Sequence, residues 1–220
     1  MKELLHKQGW HGLALMILLI AAAACSTIEP VSAGSLWGIP TQTWYWITIL
    51  IPVVHQVFVA LAWRAQLHHK WLTNLFGKHA LTFFGAVFIP LFAGRLILLF
   101  LLGISNTGSL PIPPWLRLTL AAAFTLPSLY LGYSVGRYFG LKRALGADHF
   151  DPAYRELPMV TEGIFKYTSN GMYVFGFFVL WAVAFGFASS AALIGAAFNH
   201  AYIWVHYLTV EQPDMGFIYG

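Results

Sequence analysis

Runs of about twenty residues almost free of charge recur along this chain, and they leave it few ways to fold. In hydrocarbon every backbone N–H and C=O must find its partner inside the protein, so such runs become helices that cross a bilayer. Only 9% of the 220 residues are charged, where a soluble domain of this size carries roughly a quarter. The reading is an all-α, polytopic integral membrane bundle of about six transmembrane helices with both termini cytoplasmic.

The expected spans are Gly12 to Ile28, Thr43 to Trp63, Leu81 to Leu102, Trp115 to Tyr138, Met172 to Phe187 and Ala191 to Leu208. Glu29, Pro30 and Gly34 break the first, and Ala188 to Ser190 is a minimal turn between the last two. Trp37, Trp44 and Trp46 stand where an aromatic belt would lie. Between the second and third spans, RAQLHHKWLTNLFGK puts Trp71, Leu72, Leu75 and Phe76 on one helical face, which suits a segment lying in the interface. Ten of the twelve Lys and Arg residues (Lys2, Lys7, Arg64, Lys70, Lys78, Arg137, Lys142, Arg143, Arg155 and Lys166) fall on one side if the N-terminus is inside. That asymmetry orients the bundle and puts the 139–170 connection and the C-terminal tail in one compartment.

The net charge of +4 is spread over short loops, so it reads as a topology signal and not as a nucleic-acid face. Cys25 is the only cysteine, which excludes an internal disulfide and a cysteine metal site. Lys2 and Lys7, an apolar run and Ala22-Ala23-Ala24-Cys25 resemble a lipoprotein signal, but the spans that follow favour a retained first helix. The chain divides into residues 1–110, transmembrane helices with an interfacial linker, and residues 111–220, a core of connection, helical hairpin and tail.

Candidate chemistry gathers in the second part. Gly132, Gly136 and Gly140 are four apart and share a bare helix face beside Arg137 and Tyr138. Close helix packing explains such a strip, and so does a planar cofactor approaching the backbone. His200, Trp204, Tyr207 and Glu211 follow steps of four, three and four, so they line one face ending in a carboxylate, flanked by Asn199 and His206. Opposite them, Asn170-Gly171 is a turn signal at the start of a helix, bracketed by Tyr167 and Tyr173 and followed by Met172. A carboxylate between aromatic faces suits a cationic centre. Arg95 is costly within a span unless it snorkels to outer headgroups or lines a cleft reaching a lipid phosphate.

The segments Asp148-His149-Phe150, LPMVTEGIFKY, Asn170-Gly171-Met172-Tyr173 and VEQPDMGFIYG resemble the C-terminal domain of the membrane-embedded phospholipid and isoprenylcysteine methyltransferases, nearest the phosphatidylethanolamine N-methyltransferase branch. The resemblance covers about residues 128 to 220. It implies S-adenosylmethionine bound near the cytoplasmic surface of a bacterial inner membrane, and a membrane lipid acceptor, phosphatidylethanolamine or its methylated derivatives. On that footing the cofactor contacts are Gly132, Gly136, Arg137, Tyr138, Gly140, Tyr167, Asn170, Gly171, Met172 and Glu211. Glu211, Tyr173, His200 and His206 are the catalytic candidates, with either histidine a proton relay or a structural hydrogen-bonding residue, and no metal is called for. The family's Arg-His-Pro run is replaced here by Ser169, Asn170 and Gly171, and its second Glu by Gln212, so the carry-over is most direct for Tyr173 and Glu211. The alternatives are methylation of a thiol or carboxylate on an isoprenylcysteine or small hydrophobic acceptor, or a non-catalytic haem- or quinone-associated protein using His55, His200 or His206. Oligomeric state is left open.

Overall fold

The computed structural model describes residues 3–220, so Lys2, one of the charges that orients the spans, lies outside the described residues. Among the described residues four helices are long and apolar enough to cross a membrane: α1 (Gln8–Ser26), α2 (Thr41–His69), α3 (Ala80–Ser105) and α4 (Pro114–Ser134). A shorter apolar hairpin follows, made of Gly171–Phe175 and α5 (Phe178–Phe187) on one side and α6 (Ser190–His206) on the other. At 17 residues α6 is at the lower limit for a crossing. The chain does not end there as a loose tail. A π-helical turn, Tyr207–Glu211, leads into α7 (Gln212–Tyr219).

Local sequence explains where the elements stop. Ala188 takes up a left-handed conformation (φ 49°) to reverse the chain, and the Ser189 hydroxyl then accepts from the Ala192 N–H at 3.0 Å to start α6. α2 runs about two turns past the expected Trp63 and stops only at Lys70, also left-handed. Gln66 splices α2 to the next short helix, Trp71–Phe76, donating to Thr73 Oγ1 at 2.7 Å and accepting from the Thr73 N–H at 3.0 Å. Trp71, Leu75 and Phe76 are exposed there, as an interfacial face requires, while Leu72 turns inward against the cluster of Trp63 and Phe84.

α6 is the centre of the packing. Phe198 and Tyr202 pack with Tyr45, Ile49 and Leu102 on one side, while Ala192, Ala196 and Ile203 pack with Phe177, Leu180 and Ala184 on the other. Small residues let it approach its neighbours closely: a side chain at Gly195 would meet Leu99 at 3.1 Å and Thr48 at 3.3 Å. The packing therefore crosses the division at residue 110, with α6 set among α1, α2 and α3.

Arg95 does not snorkel outward. It is 3% exposed and points inward, donating from Nε to Asn199 Oδ1 at 2.9 Å, with Nη1 3.3 Å from His55 Nδ1 and the guanidinium 4.8 Å from the Phe177 ring. Hydrocarbon gives such a charge no partner, so facing the protein interior lowers its cost.

The end of the bundle away from the termini is held by Asn106. Its amide donates to the carbonyls of Pro30 (2.9 Å) and Ala33 (2.7 Å). Its Oδ1 accepts from the hydroxyls of Ser109 and Ser189 and from the Ala191 N–H, at 2.6 to 2.9 Å. One side chain thus joins the α1–α2 connection to the hairpin turn. Asn106→Ala leaves several buried groups unpaired, so unfolding of the detergent-solubilised protein should show a loss of about 3 kcal/mol, whereas Ser109→Ala should cost about 1 kcal/mol.

Candidate active site at the end carrying both termini

The site begins with a proline. Pro213 has no N–H, and its ring collides with the carbonyl four residues back in an α-helix, that of Thr209. The helix widens here into the π turn Tyr207–Glu211, and the Thr209 carbonyl accepts from Arg64 Nη2 at 2.7 Å. Glu211, the last residue of the wide turn, accepts a hydrogen bond from the Tyr173 hydroxyl at the start of the hairpin. The Tyr173 ring lies 4.9 Å from that of Tyr207 and 5.9 Å from that of Trp204, so the tyrosine that bonds the carboxylate stands in a group of three aromatic rings.

Behind Glu211 sits a charged cluster supplied by the 139–170 connection, α2 and α7. His149 Nδ1 is 3.1 Å from Asp148 Oδ1, and its Nε2 is 3.7 Å from Asp214 Oδ2. Tyr219 donates to Asp148 Oδ2 at 3.1 Å, Arg64 Nε donates to Asp214 Oδ1 at 3.2 Å, and the Trp63 ring stacks on His149 at 4.5 Å. Burial would lower the basicity of His149, but its bond to Asp148 and the nearby Asp214 carboxylate outweigh that and raise it. Burial likewise pushes Asp148 up, and the bonds from His149 and Tyr219 bring it below the usual carboxylate value. Burial pushes Glu211 up to about 7, with Asp148 and Asp214 adding to the rise and the Tyr173 bond and His149 opposing it.

The expected site residues separate into three groups. Tyr173 and Glu211 meet, with Trp204 and Tyr207 beside them, and Gly171 starts the hairpin so close to the connection that a side chain there would come within 3.2 Å of Ile164. Asn170 precedes that helix without capping it through its side chain, and Met172 turns the other way, to the cluster of Leu131, Ile164 and Phe165.

His200 lies along the same face of α6 but further from the turn, stacked on Phe177 and accepting from Trp181 Nε1 at 3.0 Å. His206 is on the opposite face, 2% exposed, against Trp63 and His11, with both ring nitrogens unpartnered among the described residues. The relay expected of His206 is therefore turned away from Glu211.

A side chain at Gly132, Gly136 or Gly140 would meet nothing among the described residues, so close packing between helices of this chain does not account for them. They share the exposed side of α4 and its extension with Arg137 and Tyr138, while Leu131 and Ser134 face inward. Tyr167 is 75% exposed. The strip and Tyr167 thus do not join the Tyr173–Glu211 pair.

Arg64, Asp214, Trp63 and Tyr219 were not singled out as site residues from the sequence. Pro213 is the signal that could have found the first two, because a proline four residues after Thr209 announces a carbonyl that lacks its α-helical donor.

Residues 116–220 match the model of the family described as phospholipid methyltransferase, and that match supports reading the protein as a membrane methyltransferase. No curated protein and no solved structure matches the chain.

Glu211 holds its proton up to about pH 7 in the folded chain and ionises near its ordinary value of 4.5 when unfolded. The folded state binds the extra proton between those values, so this group's contribution to stability is full below pH 4.5 and is lost as pH rises to about 7. An infrared titration, with the carboxyl band assigned by its loss in Glu211→Gln, should show a midpoint near 7. Tyr173→Phe should move that midpoint higher, since the phenol bond favours the ionised form.

Proposed function

We propose that this protein transfers methyl groups from S-adenosylmethionine to the amine of a membrane phospholipid, phosphatidylethanolamine or a partly methylated derivative. The observation that carries this reading is the half-buried Glu211 carboxylate, bonded to Tyr173, whose ring stands with those of Trp204 and Tyr207, within the region that matches the phospholipid methyltransferase family. Its chemistry fits the cofactor: a carboxylate and three π faces favour a positively charged ligand. Bound there, S-adenosylmethionine would supply a methyl group on a sulfonium, whose departure leaves a neutral thioether.

The residues of the chain have three tasks. Glu211, Tyr173 and the Asn170-Gly171 start of the hairpin hold the cofactor and align it, which is the main contribution when the leaving group needs no acid. The aromatic rings exclude water. An ammonium must also lose a proton before it can attack, and Glu211, titrating near 7, is matched to accept it. The open side of α4 at Gly132 and Gly136, with Leu129, Tyr130 and Tyr133 exposed beside it, suits contact with lipid better than with the cofactor. The Lys and Arg asymmetry supports a site at the cytoplasmic face, which in this reading is that of a bacterial inner membrane.

The test is incubation of the reconstituted protein with isotopically labelled S-adenosylmethionine, membrane lipids and candidate thiols, followed by mass spectrometry. Labelled mono-, di- or trimethylated aminophospholipid is expected, and label only in a thioether or carboxyl ester would reject the acceptor. Glu211→Gln should lower turnover by about a hundredfold or more while the bundle stays folded. Calorimetric affinity for S-adenosylmethionine should rise as pH increases through about 7, where Glu211 ionises, and lose that dependence in E211Q.

A further inference from the structure

Trp63 and Arg64 belong to α2, outside the region that matches the methyltransferase family, yet their side chains end among the groups around Glu211. Arg64 is 1% exposed, and each nitrogen of its planar fork has an oxygen partner. Nη2 donates to the Thr209 carbonyl at 2.7 Å, Nε to Asp214 Oδ1 at 3.2 Å, and Nη1 to the carbonyls of His6 and Leu4 at 2.6 and 3.2 Å. Thr209 and Asp214 flank Glu211 in the chain, one inside the wide turn and one just after it.

The first of these contacts goes to a carbonyl that Pro213, having no N–H, cannot bond as an α-helical partner would. The second neutralises a carboxylate directly behind the site. Trp63 reinforces the same region by lying flat on His149 at an interplanar angle of 19°.

We propose that Arg64 is a positioning residue for methyl transfer: by holding the Thr209 carbonyl and the Asp214 carboxylate, it fixes the wide turn so that Glu211 faces Tyr173. The proposal rests on Glu211 being the cation-binding carboxylate of the site. It makes the active site a composite, with one of its supports supplied by a helix that the family match does not include. Lysine is no substitute, because a single ammonium does not reproduce a planar fork with donors in three directions.

The groups that face Glu211 are Tyr173 from the hairpin, Tyr207 from its own turn, Asp148 and His149 from the connection, and Asp214 from α7. Arg64 acts on Glu211 through Asp214. Removing the guanidinium leaves the Asp214 charge uncompensated beside Glu211, which makes Glu211 harder to ionise.

The experiment uses the full chain in lipid nanodiscs as wild type, Arg64→Lys, Arg64→Met and the double variant Arg64→Met/Asp214→Asn. The infrared midpoint of the Glu211 carboxyl is read without cofactor, and kcat and KM are read with labelled S-adenosylmethionine and phosphatidylethanolamine. R64M should move the midpoint up by roughly one pH unit. The double variant should reverse that shift, because both charges are gone, yet keep kcat depressed on the order of tenfold or more, because the Thr209 carbonyl is still unheld and the turn is misplaced. KM for the lipid should change little, and R64K should recover the midpoint better than the rate.

If R64M fails to fold, the charge-neutral double variant carries the rate test. A folded variant without the guanidinium that keeps the wild-type kcat, or a folded R64M with an unmoved midpoint, overturns the proposal. Wild-type protein that shows the band and its shift in R64M but transfers no methyl group would sink the methyltransferase reading and leave the positioning of Glu211 by Arg64 standing.

Discussion

A helix in hydrocarbon can present polar groups only where another helix covers them, and the bundle is arranged around α6 because α6 is covered on two sides. Toward α1, α2 and α3 it turns Asn199, Tyr202 and His206, and toward the hairpin and connection it turns His200 and Trp204, a face that the π turn continues with Tyr207 and Glu211. The first side is fastened at polar points. Asn199 receives Arg95, Tyr202 is 2.8 Å from His11 Nε2, and the other nitrogen of His11 is 2.9 Å from Thr209 Oγ1. These contacts fix how far α6 rotates about its axis, and that rotation decides that Glu211 looks toward Tyr173 and not toward lipid.

Helices were the legible part of the chain, because in a membrane the apolar run and the helix are nearly the same statement. The face from His200 to Glu211 could also be read, since helical spacing alone puts those residues in line. What spacing does not say is which way a face looks. Gly132, Gly136 and Gly140 do share a side of α4, but that side is open, and only the packing of Leu131 and Ser134 against the hairpin and connection decides it. Arg95 was ambiguous for the same reason: its inward turn depends on Asn199, more than a hundred residues later. The bond between Arg64 and Asp214 spans 150 residues, and no local pattern announces a pairing at that distance.

The departures from the family pattern find a physical counterpart in this arrangement. Where the usual run would place a histidine at the start of the hairpin, this chain has Asn170, and the imidazole that acts on Glu211 is His149 from the connection. Gln212 stands in place of a second glutamate and is exposed. The further carboxylates near Glu211 are Asp148 and Asp214, each engaged by a neighbouring donor. The charge balance around Glu211 is thus assembled from three separate stretches of chain.

The reach of Arg64 also bears on how the protein is made. Thr209 and Asp214 lie 145 and 150 residues downstream of it, so α2 enters the bilayer long before they are synthesised. During that interval the guanidinium, close to the end of its helix, stays solvated among water and headgroups at the membrane surface. Its burial is therefore a late event of assembly, because the residues that seat this charge are made long after the helix that carries it.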